Sequence, residues 1–129
     1  MVATTLTKEM IESGRTLVRK LDEQGLHPDA AFWLYSSDLQ EWKLVIAEVK
    51  LDTEGPRKIY KKIQDVISVS KEDMPEISLD SVTLAKPDAP IVHLLKRVIH
   101  TGPGISEIRF TTNVINGTLI EDAYIYRVN

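Results

Sequence analysis

The chain contains no cysteine. That excludes disulfides, thiolate metal sites and a thiol nucleophile. Apolar runs long enough to cross a bilayer are missing as well, and the opening residues, Met1 to Met10, lack the apolar core of a targeting segment. The expectation is a cytoplasmic protein with no membrane attachment. An excess of positive charge is also absent: 16 Lys and Arg stand against 19 Asp and Glu, for a net charge of −3. Domains whose main work is gripping nucleic acid are usually strongly basic, so the balance argues against that class. Repeats, low-complexity tracts and linker-like stretches do not occur.

What is present suits one compact domain, residues 1–129, with 43% apolar residues to form a core. Thr7 can cap a first helix over Lys8 to Gln24, and Gly25 stops it. Its apolar stripe is Met10, Ile11, Leu17, Val18 and Leu21, with Gly14 permitting close approach. Two strand-like runs follow, Ala30 to Tyr35 and Trp42 to Val49, rich in β-branched and aromatic residues. Pro56 opens a second helix whose inner face is Ile59, Tyr60, Ile63, Val66 and Ile67. A third strand is expected over Ile77 to Leu84, and a third helix over Ile91 to His100 with Asp88 as cap. The chain ends in a hairpin around Asn116-Gly117, a strong turn signal. That turn pairs residues whose numbers sum to 233: Ile108 faces Ile125 and Phe110 faces Ala123 on a buried side, while Arg109 faces Tyr124 and Thr111 faces Asp122 on a semi-polar side. The expected class is α+β, in the order α-β-β-α-β-α-β-β. A mixed five-stranded sheet carries the helices.

Both faces of the first hairpin are apolar, which marks strands covered on both sides. Three helices cover one face well and the other only in part. Trp33, Tyr35 and Trp42, with Tyr124 and Tyr126 on the last strand, form an aromatic group expected to meet a partner protein or a second copy of the chain.

The stretch from His27 to Lys50 poses a chemical alternative. Pro28-Asp29 begins the first hairpin and Glu48-Val49-Lys50 ends it. A turn centred between Asp38 and Leu39 pairs residues summing to 77, which puts Asp29 opposite Glu48 with Lys50 on the same face. From Pro28 to Gln64 this pattern resembles the PD-(D/E)xK nuclease superfamily. The resemblance implies Asp29 and Glu48 as ligands of Mg²⁺ or Mn²⁺, Lys50 as the catalytic lysine, Gln64 as a further polar residue, and nucleic acid as substrate. Only Leu26 and His27 stand between Gly25 and Pro28-Asp29, where that family has a strand. Outside this alternative no cofactor is expected.

Arg57 and Lys58, at the start of the second helix, offer a third reading, a binder of an anion or a nucleotide, with the helix start as a seat for a phosphate or carboxylate. The third helix carries His93, Lys96, Arg97 and His100 on one stripe, expected to be its wet side. Thr101 to Gly104 is not a phosphate loop, because it leads from a helix into a strand.

Overall fold

In a computed structural model the described residues are 5–36, 38, 40–47, 55–75, 77, 81–85, 89–102, 104–115 and 117–129, with backbone alone at 55–57, 112, 113, 115, 118, 119 and 121. The elements are α1 (Lys8–Glu23), β1 (Ala30–Ser36), β2 (Glu41–Ala47), α2 (Gly55–Val69), β3 (Val82–Ala85), α3 (Pro90–Lys96), β4 (Ile108–Ile115) and β5 (Thr118–Val128). The α+β class and the element order are as the sequence implies. The strands form one mixed sheet in the order β3-β2-β1-β5-β4.

The helix signals act locally. The Thr7 hydroxyl accepts from the Met10 backbone N–H at 3.1 Å, satisfying one of the amide donors that a helix start leaves open. Thr7→Ala is therefore expected to lower stability by about 1 kcal/mol, read from urea unfolding. Past the other end of α1, Gly25 adopts φ 81°, the left-handed conformation that ends helices at glycine.

Hairpin register follows the sequence reading. Ala30 faces Ala47, Trp33 faces Leu44 and Tyr35 faces Trp42; each pair sums to 77. At the chain's end Ile108 faces Ile125 and Arg109 faces Tyr124. β2 and β3 pair in parallel, which requires a crossover, and α2 is that crossover.

Two elements depart from expectation. β3 begins at Val82, not Ile77. Ile77 instead closes a turn onto the Met74 carbonyl and is buried with Met74, so its apolar character reports a core plug rather than a strand. α3 ends at Lys96, not His100, because its last turn tightens: Arg97 and Val98 bond to the carbonyls of Leu94 and Leu95, three residues back. Asp88 lies outside the described residues, and the residue flanking α3 is Ala89, with no side-chain cap.

The sheet separates two apolar clusters. On one face α1 and α2 bury Leu17, Leu21, Ile59 and Ile63 against Trp33, Leu44 and Ile46. On the other, α3 brings Val92 and Leu95 onto Phe32, Val45 and Ile125. Both faces of the first hairpin are thus covered, as its two-sided apolar pattern requires.

One irregularity sets up the rest. Ala31 faces Arg127 but Phe32 faces Ile125, so β5 holds one extra residue, Tyr126. Such a bulge re-aims side chains. Tyr126 and Arg127, adjacent in sequence, both reach α1: the Tyr126 hydroxyl donates to the Ile11 carbonyl at 2.6 Å, and the Arg127 guanidinium donates to both Asp22 carboxylate oxygens at 3.0 and 2.6 Å. Gly14 makes the approach possible. A Cβ there would lie 2.4 Å from the Tyr126 hydroxyl and 2.7 Å from the Trp33 ring nitrogen.

Candidate functional site

Register alone assembles a polar and aromatic surface on the α1 side of the sheet. Tyr35 on β1 lies beside Trp42 on β2, ring centroids 5.5 Å apart and tilted by 59°. Trp33 on β1 faces Tyr124 on β5, and Tyr124 faces Arg109 on β4. Arg109 makes two parallel bonds to the Asp122 carboxylate, at 2.6 and 2.5 Å. This fork geometry is specific to arginine. Its guanidinium carbon also lies 5.6 Å from the Trp42 ring centroid, within cation–π range. Arg109 thus reaches over β5 and β1, the two strands between its own and that of Trp42.

A second ion pair borders the first. Arg15, from α1, bonds Glu107 at 2.6 Å, and the Tyr124 hydroxyl donates to the same Glu107 oxygen at 2.9 Å. Tyr124 meets Tyr126 edge to face at 5.6 Å. Below them the Trp33 ring N–H donates to the Tyr126 hydroxyl at 3.0 Å.

Proton affinities follow this geometry. The Arg15 hydrogen bond, and then that of Tyr124, hold the Glu107 carboxyl below its ordinary range. Glu107 raises Arg15 in turn, and Asp122 raises Arg109. Burial first, then the bond to Glu107, push the Tyr124 phenol up. Burial lifts Tyr126 further still. Displaced groups mark candidate functional surfaces, although structural ion pairs also displace them. Two donors in the cluster lack acceptors among the described residues, the Trp42 ring nitrogen and Arg15 Nε.

The aromatic group read from sequence divides here. Trp33 and Tyr126 are wholly buried and Trp42 is only 6% exposed. They are core under α1 and α2, not contact residues, which corrects their assignment as partner-binding. Gly14 lets α1 settle directly on Trp33 and Tyr126, and Trp42 is buried in the same cluster. Tyr35 and Tyr124 remain half-buried at the surface. Arg15, Glu107, Arg109 and Asp122 join them and were not singled out from sequence. The pairing of Arg109 with Tyr124 was readable in the hairpin register; the arrival of Arg15 was not.

The other candidates lie elsewhere. Asp29 is half-buried at the start of β1, and its carboxylate receives the Lys96 ammonium from α3. Lys96 therefore leaves the wet stripe assigned to it. The register summing to 77 runs through Ala30 and Ala47; just before it the Asp29 backbone N–H bonds the Ala47 carbonyl at 2.7 Å, a pair that sums to 76 and so lies one residue off that register. Glu48 and Lys50 lie outside the described residues. Among the described residues no group of three or more His, Asp or Glu is placed to hold a metal ion. Gln64 is exposed on α2. Lys58 is exposed near the start of α2, while the Arg57 side chain lies outside the described residues. A cleft of about 370 Å³ between α1 and α2 is edged by Lys20, Glu23, Lys62, Asp65 and Val69, with charges of both signs interspersed. No helix among the described residues is long and apolar enough to cross a membrane.

A scan against protein-family models, a search of curated proteins and a search of solved structures each found no match for this chain.

Proposed function

We propose that this chain is a cytoplasmic binding domain that recognises a partner protein, or a second copy of itself, through the surface formed by Tyr35, Arg109, Asp122, Tyr124, Glu107 and Arg15. The observation that carries the reading is Arg109. It lies across the sheet on Trp42, held by Asp122, and remains accessible with a side chain 46% exposed. Tyr, Trp and Arg dominate binding energy at protein interfaces, and a rigidly held arginine loses little entropy on contact.

The test compares the wild type with Tyr35→Ala and Arg109→Ala in affinity enrichment and in solution mass. Both variants should unfold near the wild-type temperature. Each should lose a protein, or the self-association, that the wild type retains, by at least ~10-fold in affinity, as expected for removing interface anchors. Identical capture and identical mass in all three would overturn the reading.

A second reading has one observation in its favour. It is the spacing of Pro28-Asp29 and Glu48-Val49-Lys50 in the sequence, which matches the nuclease pattern. Mg²⁺- or Mn²⁺-dependent cleavage of DNA or RNA, lost in Asp29→Asn, would establish it. An anion seat at Arg57 and Lys58 is the third reading. It requires stabilisation by inorganic phosphate that Arg57→Ala removes.

A further inference from the structure

The two edges of the sheet are unequally protected. β3 spans only Val82–Ala85, and its sequence runs into Lys86-Pro87. Shortness, lysine and proline are the usual devices that prevent an edge strand from pairing with another chain. β4, the opposite edge, spans Ile108–Ile115, twice that length. Its sequence, IRFTTNVI, contains no lysine, proline or glycine. Its single charge, Arg109, is tied to Asp122 of the same hairpin. Val114 stands 67% exposed on it. Among the described residues, no other strand pairs with the outer side of β4.

The hairpin fixes which backbone groups that edge presents. Ile115 pairs with Thr118 across the two-residue turn, which makes it a hydrogen-bonded pair. Alternation then points the backbone groups of Thr111 and Arg109 toward β5 and those of Ile108, Phe110, Thr112 and Val114 outward.

We infer that the outer edge of β4 pairs antiparallel with β4 of a second copy, about a two-fold axis through Thr111, to make one continuous sheet across a dimer. The register follows from counting. Antiparallel partners must both face outward, so the residue numbers of each pair sum to an even value. Only a sum of 222 uses Ile108, Phe110, Thr112 and Val114 together: Ile108 meets Val114, and Phe110 meets Thr112. Shifting by two leaves an outward group of the strand unused. In the 222 register, exposed Val114 is covered by an apolar neighbour. Arg109 lies opposite position 113, an asparagine, so no like charges meet. The axis is perpendicular to the sheet, so the Arg109–Tyr124 surfaces of both copies lie on the same side. One strand pair buries little area, at the low end for specific interfaces, so the dimer is concentration-dependent. The inference rests on the strand edge and not on the proposed binding surface, so the two can fail separately.

Thr111→Cys tests it directly, because the chain has no other cysteine. A residue on the axis meets its own copy in a non-hydrogen-bonded pair, with Cα atoms about 4.5 Å apart, within disulfide reach. The expected result is a covalent dimer forming at least ~10-fold faster than from Val114→Cys, because preformed pairing raises the local thiol concentration. The wild type should also move toward twice the chain mass as concentration rises in sedimentation. Val114→Lys should return it to the monomer without changing its unfolding temperature, and Tyr35→Ala should leave the edge dimer intact. A monomeric wild type at every concentration would overturn the inference. So would a dimer that ignores Val114→Lys, or equal cross-linking from positions 111 and 114.

Discussion

Arg127→Ala is expected to lower the unfolding free energy by about 3–5 kcal/mol, the range for breaking a buried ion pair on one side. Arg127 is 2% exposed. Its guanidinium satisfies both oxygens of Asp22, the Pro28 carbonyl at 3.0 Å and the Gly104 carbonyl at 3.2 Å. One side chain therefore ties the end of α1, the entry to β1 and the segment before β4 to the last strand. Alanine would leave a partly buried carboxylate and the Pro28 and Gly104 carbonyls without these donors. The attraction itself accounts for little of the loss, because desolvating the charges offsets most of it. The double variant Asp22→Leu with Arg127→Met should accordingly lose less than Arg127→Ala alone. Urea denaturation of the three proteins measures both quantities. A single-variant loss under about 1 kcal/mol would match an exposed pair and contradict the buried role.

Tyr126→Phe is expected to destabilise the protein by about 1–3 kcal/mol at neutral pH, through the orphaned Trp33 ring N–H. The hydroxyl accepts from Trp33 and donates to the Ile11 carbonyl, so it joins α1, β1 and β5 in one chain of bonds. A pH dependence accompanies this. Burial raises the folded-state pKa of Tyr126 above its ordinary value. The folded protein therefore holds the phenolic proton after the unfolded chain has released it near pH 10. The contribution is complete below that pH and declines above it, by up to about 1.4 kcal/mol per pH unit, until the folded group ionises in turn. Chemical denaturation between pH 8 and 11 should show this slope in the wild type and a shallower one in Tyr126→Phe. Equal slopes would mean that the phenol is wetter than its surroundings indicate.

Sequence alone determined the two hairpin registers and most of the local elements, though not the bounds of β3 and α3. Both depend on short-range chemistry: a hydroxyl cap at Thr7, a left-handed glycine at Gly25, period-two alternation and an Asn-Gly turn. The pairing of Arg109 with Tyr124 follows from that turn, so one row of the candidate surface was already legible. Gly14 was legible as a close-approach position, though not which residues approach. What the tertiary structure decided was coverage and long-range partnership. Trp33, Trp42 and Tyr126 read as a contact surface until α1 and α2 are seen to lie on them; an apolar side chain is the same letter whether another element or solvent covers it. The bulge at Tyr126 leaves no mark in the alternation of β5, yet it turns two adjacent side chains toward α1. Arg15 with Glu107, Asp22 with Arg127 and Lys96 with Asp29 join residues far apart in the chain. Such pairs form only where folding brings opposite charges within hydrogen-bonding reach, and no local spacing encodes that distance.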